Sequence, residues 1–250
     1  MSLTAPARAD LEYKASGEDI YRIDRTGTFS KVSYDGTERL SVQRLGRIWR
    51  FQAQARYTRD GPDGKSRGQA LFVQVLLPNG TFEDRVDADP DFLTILNQPF
   101  AVHLDAATLR DLRDLRGRVP FSAASPLGAA SVVQGFLRPG VSGPIGGRPT
   151  AAVQFEADGN LNGPLPGYSN GLLAGTIHMD GTAYYALDGA VLLALSVRLT
   201  LDARLSQNKP SVSVPVRITY LRLIRAQPPS KTPRQAPLAT GAGTGSLATP

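Results

Sequence analysis

Apolar and polar residues alternate along much of this chain, most clearly between Leu193 and Leu205. One set of side chains points one way (Leu193, Leu195, Val197, Leu199, Leu201, Ala203 and Leu205), and the residues between them point the other way. This period of two is typical of a half-buried β-strand. With the apolar run before it, the pattern predicts a long hairpin from Gly171 to Leu205 that turns at Asp188-Gly189.

The same alternation predicts a strand with Trp49, Phe51, Ala53, Ala55 and Tyr57 facing the core. Further strands are predicted at residues 19–24, 29–34, 38–45, 69–77, 132–137, 151–157 and 212–225. Asp-Gly steps favour the positive φ of tight turns, and we expect turns at Asp35-Gly36, Asp63-Gly64, Asp158-Gly159, Asp180-Gly181 and Asp188-Gly189. Pro215 predicts an edge position or the start of a strand, because proline cannot donate to a β-ladder.

The period changes between residues 89 and 117, where the sequence predicts helical structure. A short helical turn is expected at residues 91–96. The stronger helix is expected at residues 106–116, with Asp105 as its cap, an apolar stripe and Gly117 as its stop. The stripe consists of Leu109, Leu112 and Leu115. Arginine and aspartate alternate outside it, which indicates a solvated face.

These elements predict a mainly β fold, a large curved antiparallel sheet or partly open barrel with one amphipathic helix packed against it. We expect one domain at residues 11–226, between a loose segment at 1–10 and a disordered tail at 227–250 that is rich in Pro, Ser, Thr, Gly and Ala. If the domain divides into two halves, they meet near residues 138–150, where Gly and Pro concentrate.

Composition narrows the function classes only slightly. The 250 residues carry 28 Lys and Arg against 22 Asp and Glu, a net charge of +6. The arginines are spread along the polar faces of the predicted strands rather than clustered with aromatic residues, so nucleic-acid binding is not expected. Attraction to anionic lipid or polysaccharide, at most as peripheral membrane contact, remains open.

Cysteine is absent, which excludes disulfides, a thiol nucleophile and cysteine-based metal sites. No apolar run approaches the roughly 20 residues of a membrane-spanning helix. Residues 1–10 also lack the apolar core of a signal peptide. These features fit either a cytoplasmic protein or an envelope protein whose signal peptide has been removed.

Catalytic motifs are weak. Residues 167–171 match the G-x-S-x-G pattern around Ser169, but they precede a predicted strand rather than a helix, and only His103 and His178 are available as histidine bases. The same two histidines are expected to be isolated residues rather than metal ligands. The acidic group Asp84, Asp87, Asp89 and Asp91 lacks the spacing of a calcium loop. We therefore predict no catalytic residue, no metal and no cofactor.

One resemblance adds a functional expectation. The segment from Gly175 to Ala190 ends in an Asp-Gly turn before a long strand, within a meander of strands and a single helix that extends from about Leu40 to Ala226. This pattern resembles bacterial envelope half-barrel proteins of the lipoprotein-carrier type. The resemblance implies a half-barrel that holds lipid, and a periplasmic or cell-envelope location.

We accordingly expect a non-enzymatic envelope module that holds an apolar or amphipathic, lipid-like ligand between the sheet and the helix. The residues expected to line this site are Trp49, Phe51, Leu109, Leu112, Tyr184, Leu195, Val197 and Leu199. One alternative is a structural or assembly protein with a filled core that acts through a sheet edge or the tail. Another is a serine hydrolase that uses Ser169.

Overall fold

A computed structural model describes residues 8–23, 28–46, 48–76, 86–87, 106–124, 132–164, 171–189, 191–207 and 213–227. Within these ranges lie eleven strands and one helix. Their bounds are β1 Arg8–Ile23, β2 Thr28–Leu45, β3 Ile48–Gly61, β4 Gly64–Leu76, β5 Val86–Asp87, α1 Ala106–Arg113, β6 Val119–Ala124, β7 Val132–Pro139, β8 Thr150–Pro164, β9 Gly171–Ala186, β10 Leu192–Gln207 and β11 Ser213–Ala226. Except for Gln227, the predicted tail lies outside the described residues, as does the predicted helical turn at 91–96.

All eleven strands belong to one sheet with the order β5-β4-β3-β2-β1-β11-β10-β9-β8-β7-β6. Every neighbouring pair is antiparallel. The first and last of the described strands, β1 and β11, pair with each other in the middle, and β5 and β6 form the two edges of the described sheet. The predicted mainly β fold, a curved sheet that is not closed and carries one helix, is confirmed.

One face of the sheet, here called the inner face, carries the hydrophobic core. Its side chains from β3 through β1 and β11 to β7 form a single packed cluster. A single sheet can bury one face this well only if it curls so that its own side chains meet. A hydrogen bond across the sheet is consistent with this curvature: the Tyr13 hydroxyl of β1 donates to the Leu192 carbonyl of β10 at 3.0 Å, passing over β11.

Helix α1 lies on the inner side of the sheet. It contacts β8, and Leu109, Leu112 and Leu115 pack against the core cluster while remaining partly exposed. The predicted leucine stripe is therefore correct. The helix ends earlier than expected, at Arg113, and Gly117 follows with a φ of 70°.

The Asp-Gly predictions are only partly right. Turns do form at Asp63-Gly64, where Gly64 has a φ of 96°, and at Asp188-Gly189. The other three steps, Asp35-Gly36, Asp158-Gly159 and Asp180-Gly181, lie inside β2, β8 and β9. In each of the three, the aspartate faces outward and the glycine holds an inner-face position. At Gly181 a Cβ would overlap the Ser196 carbonyl oxygen and the Phe155 ring, so the absence of a side chain lets the neighbouring strand and ring pack closely.

Because these steps do not turn, several strands are longer than predicted. Of the segment predicted at 19–24, residues 19–23 belong to β1, which begins at Arg8, and Asp24 lies outside the described residues. The segments predicted at 29–34 and 38–45 merge into β2. Strand β8 continues to Pro164, past the turn predicted at Asp158-Gly159. Pro215 stands near the start of a central strand: it pairs with Arg204 of β10, while pairing with β1 ends at Val216.

Candidate functional site

The inner face is divided into two chemically different halves. In β7–β10, called here the apolar half, the described inner-face side chains are hydrophobic, and Tyr185 supplies the one hydroxyl. In β1–β3 and β11, called the polar half, charged and tyrosine side chains stand among the apolar ones. The polar half contains Asp19, Glu38, Arg59 and Arg222 together with Tyr13, Tyr21, Tyr34, Tyr57 and Tyr220.

An ion pair lies at the centre of the polar half. Arg222 Nη2 is 2.6 Å from Asp19 Oδ1, and the two side chains are 4% and 3% exposed. The other guanidinium nitrogen, Nη1, donates to the carbonyls of Leu221 at 2.8 Å and Glu18 at 3.2 Å. A buried charge is costly unless it is paired and hydrogen-bonded, and this guanidinium has both kinds of contact.

Gly17 makes room for the arginine. It stands opposite Arg222 in the register of β1 and β11, and a Cβ on it would come within 2.8 Å of Arg222 Cδ and Nη1. The guanidinium therefore lies against the backbone of β1. Its carbon Cζ is 5.4 Å from the ring centre of Tyr34 and 5.6 Å from that of Tyr220, within the range of cation–π attraction.

The surroundings shift the protonation equilibrium of Asp19. Burial raises the pKa of its carboxyl, and the attraction of Arg222 and hydrogen bonds from Tyr34 and Tyr21 offset only part of that rise. At another position on the polar half, Tyr13 pairs in register with Glu38, which is 1% exposed. Burial, and then the charge of Glu38, raise the pKa of the Tyr13 hydroxyl well above its usual value.

The structure brings together most of the residues predicted to line a ligand site. Leu195, Val197 and Leu199 lie on the inner face of β10, and Leu109 and Leu112 project from α1 onto the same core. Leu195 and Leu199 are only 1% and 3% exposed, whereas Val197 is half-buried. Trp49 and Phe51 lie in β3, but their side chains are outside the described part of the chain.

Tyr184 requires a correction. The inner-face residues of β9 are Leu173, Ile177, Met179, Ala183 and Tyr185, so Tyr184 lies on the opposite, outer face. It cannot line a site with Leu195 and Val197. The alternation from Ile177 through Met179 and Ala183 already indicates Tyr185, because successive strand residues face opposite sides.

The buried charges were not predicted from the sequence, which assigned arginine to polar, solvated faces. That assignment is wrong for Arg222. The signal was present: the alternation Val216, Ile218, Tyr220 continues through Arg222 to Ile224, which places a charged residue at an inward position. In the same way, the alternation that places Tyr13 and Ala15 on the inner face also places Asp19 there.

The other candidate residues do not form a site in the described structure. His178 lies on the outer face, with Nδ1 2.7 Å from Asp158 Oδ1 and Nε2 3.8 Å from Asp180 Oδ1. Among the described residues, no group of three or more His, Asp or Glu side chains is arranged to hold a metal ion. His103, Ser169, Asp84, Asp89 and Asp91 lie outside the described residues, and of Asp87 only the backbone, in β5, is described.

No family model and no curated protein matches this chain. Within the described ranges, no helix has the length and apolar character needed to cross a membrane.

Proposed function

We propose that this protein is a non-enzymatic binding module that holds an amphipathic, lipid-like molecule between the sheet and α1. The observation that carries the proposal is the division of the inner face into an apolar half and a polar half. The apolar part of the ligand packs against β8–β10 beneath α1. Its polar end lies toward β11 and β1, near the tyrosines that surround Arg222.

The chemistry of the two halves supports this orientation. A ligand pocket is typically apolar, with a small number of placed polar groups that fix the orientation of the ligand. Hydrocarbon gains free energy from contact with the leucine, valine and phenylalanine side chains of the apolar half. A tyrosine hydroxyl oxygen can accept a hydrogen bond while its own proton is donated elsewhere, so the tyrosines of the polar half can accept from a polar end group, which would otherwise lose its hydration on burial.

Helix α1 is the element through which such a ligand enters. Among the described strands, only β8 makes more than marginal contact with α1, and the leucines of the helix are only partly buried. Its packing free energy is correspondingly smaller than that of the strands. Displacement of α1 exposes the apolar half without breaking the ladder of the sheet.

A second candidate is a structural or assembly protein with a filled core. The near-complete burial of Leu195 and Leu199 favours it, since side chains already occupy the space beside them. In that case the sheet edge or the tail carries the function. The proposed envelope location is supported only by the resemblance of the sequence pattern to envelope half-barrel proteins. Fractionation of the source cell tests this location separately. Hydrolysis by Ser169 is tested by Ser169→Ala with generic esters.

Native mass spectrometry of the freshly purified protein, followed by solvent extraction, tests the proposal directly. We expect a stoichiometric lipid-like mass, or a mass shift on addition of palmitate or lysophosphatidylcholine. A protein that carries no such mass and is not shifted by either probe contradicts the proposal and favours the filled-core alternative.

A matched pair of variants places the ligand on the inner face. Val197→Phe enlarges a half-buried inner-face residue, and Ser196→Phe adds the same ring to the exposed outer face of the same strand. We expect palmitate affinity to fall about tenfold in Val197→Phe and to stay unchanged in Ser196→Phe. Equal affinities in the two variants would place the ligand elsewhere.

A further inference from the structure

A hollow of about 590 Å³ opens on the outer face of the sheet, where β2, β3 and β4 run side by side. Its floor is the backbone of Gly36, Tyr57 and Gly68, which form one row across the three strands. This row belongs to the inner face, so no side chain rises from the floor into the hollow. Its rim consists of the outward-facing residues on either side of that row, Asp35, Thr37, Arg56, Thr58, Arg67 and Gln69. We call this the β2–β4 hollow.

Two arginines face each other diagonally across the floor. Arg56 stands opposite Thr37 and Gln69, whereas Arg67 stands opposite Thr58, on the other side of the Tyr57 row. Both side chains are exposed, and neither forms an ion pair or a side-chain hydrogen bond with any described residue. Two like charges that share one hollow repel each other unless an anion lies between them.

The remaining rim residues are compatible with an anion. Asp35 is the one carboxylate among the described lining residues, and Lys14 Nζ lies 3.6 Å from it, so part of its charge is offset. The Thr58 hydroxyl donates to the Asp35 carbonyl at 3.2 Å. Thr37 and Gln69 add neutral hydrogen-bond donors at the rim.

The neighbouring hollow on the same face has the opposite character. It extends from β3 across β2, β1, β11 and β10 to β9 and has a volume of about 730 Å³, and the charged residues of its outward-facing lining are Glu18, Asp35, Asp60, Asp180 and Arg198. Its carboxylates disfavour an anion there. An excess of positive charge, two arginines against one aspartate, thus distinguishes the β2–β4 hollow from its neighbour.

We propose that the β2–β4 hollow binds a phosphate-type oxyanion carried on a larger polar molecule. The planar guanidinium groups of Arg56 and Arg67 supply paired donors that match the oxygens of a phosphate. The hollow is much larger than a single phosphate group, so the rest of the molecule contacts Thr37 and Gln69. This site is on the outer face and is independent of the ligand proposed for the inner face.

Titration of the protein with inorganic pyrophosphate, followed by amide chemical shifts at low ionic strength, tests the site. We expect saturable binding that weakens about tenfold in Arg56→Gln and in Arg67→Gln. Arg50→Gln is the matched control, because Arg50 is exposed on the same face of β3 but lies outside the hollow. Absence of saturable binding by the unaltered protein, or an equal loss in Arg50→Gln, overturns the proposal.

Vesicles distinguish the two sources of the phosphate. If vesicles of phosphatidylglycerol bind and those of phosphatidylcholine do not, with loss in Arg56→Gln and Arg67→Gln alone, the ligand is a lipid headgroup. If pyrophosphate binds but neither vesicle does, the ligand is a soluble phosphate compound, and the site stands. Vesicle binding that falls equally in all three variants indicates diffuse attraction to surface charge and contradicts the site.

Discussion

Arg222 and Asp19 lie 2.6 Å apart across the pairing of β11 with β1, and both side chains are almost fully buried. Arg217 and Asp202, which join β11 to β10, are also 2.6 Å apart, but their side chains are 58% and 51% exposed. Both ion pairs have the same distance and both use an arginine of β11, but only one of them is exposed to water. A comparison of the two pairs therefore separates the effect of burial on stability from the effect of geometry.

A double-mutant cycle measures this difference. Asp19→Asn and Arg222→Met should each lower the free energy of unfolding by about 3–5 kcal/mol, because each leaves an uncompensated polar or charged group in the core. The double variant should lose less than the sum of the two. The same cycle on Asp202 and Arg217 should give a coupling of about 0–1 kcal/mol, as exposed pairs do. Urea denaturation provides the values, and equal couplings in the two cycles would contradict the role of burial.

The same aspartates should give opposite pH dependences. Burial raises the pKa of Asp19 from its ordinary 3.8, so its contribution to stability is fully present below that pH and is lost as pH rises through the pKa of the folded state. The hydrogen bond from Arg217 lowers the pKa of Asp202, so its contribution is present above pH 3.8 and is lost on acidification.

Denaturation at several pH values tests these signs. As pH rises above about 4, the stability of the unaltered protein should fall relative to Asp19→Asn. As pH falls below 4, its stability should fall relative to Asp202→Asn. A difference from Asp19→Asn that stays constant with pH would show that the Asp19 carboxyl titrates alike in the folded and unfolded states.

Gly17 should be intolerant of a side chain. In Gly17→Ala the new Cβ would lie 2.7 Å from the Leu221 carbonyl oxygen and 2.8 Å from Arg222. Backbone and guanidinium must both shift, and we expect a loss of about 1–3 kcal/mol. Gly163→Ala is the control, because no atom lies within 4 Å of a Cβ at that strand position. Thermal unfolding should leave the control near the parent, and a parent-like Gly17→Ala would show that Arg222 does not need this space.

Tyr13 should contribute through its hydroxyl. Tyr13→Phe removes the buried hydrogen bond to the Leu192 carbonyl and should cost about 1–2 kcal/mol in the free energy of unfolding. Tyr184→Phe, on the outer face, should cost much less. The comparison requires only urea denaturation of the two variants, and similar losses would indicate that the Tyr13 hydroxyl adds nothing beyond its ring.

The sequence predicts the fold better than the turns. The alternation from Leu193 to Leu205 and around Ala55 and Tyr57 requires strands with one buried face, and those strands form. An Asp-Gly dipeptide does not by itself distinguish a turn from a strand. Gly64 is needed in a turn because its φ is positive, whereas Gly181 is needed in a strand because its neighbours pack too closely for a side chain. Which use applies depends on the neighbouring strand, and a single sequence does not show that neighbour.

The candidate site was less predictable than the fold. Local alternation places Leu195 and Leu199 inward without further information, and it also marks Arg222 and Asp19 as inward. It does not reveal that these two residues, which come from opposite ends of the chain, meet. Their pairing depends on the register of β1 with β11, a long-range contact that leaves no trace in the spacing of either strand.

The central place of β1 and β11 in the sheet also constrains how the protein folds. Arg222 donates to the Glu18 carbonyl across 204 positions of sequence, so the middle of the sheet has very high contact order. While β11 is still missing, β1 and β10 are both open strand edges, and each can pair with another chain. Slow folding and early aggregation of chains cut short before β11 follow from the same strand order that buries the ion pair.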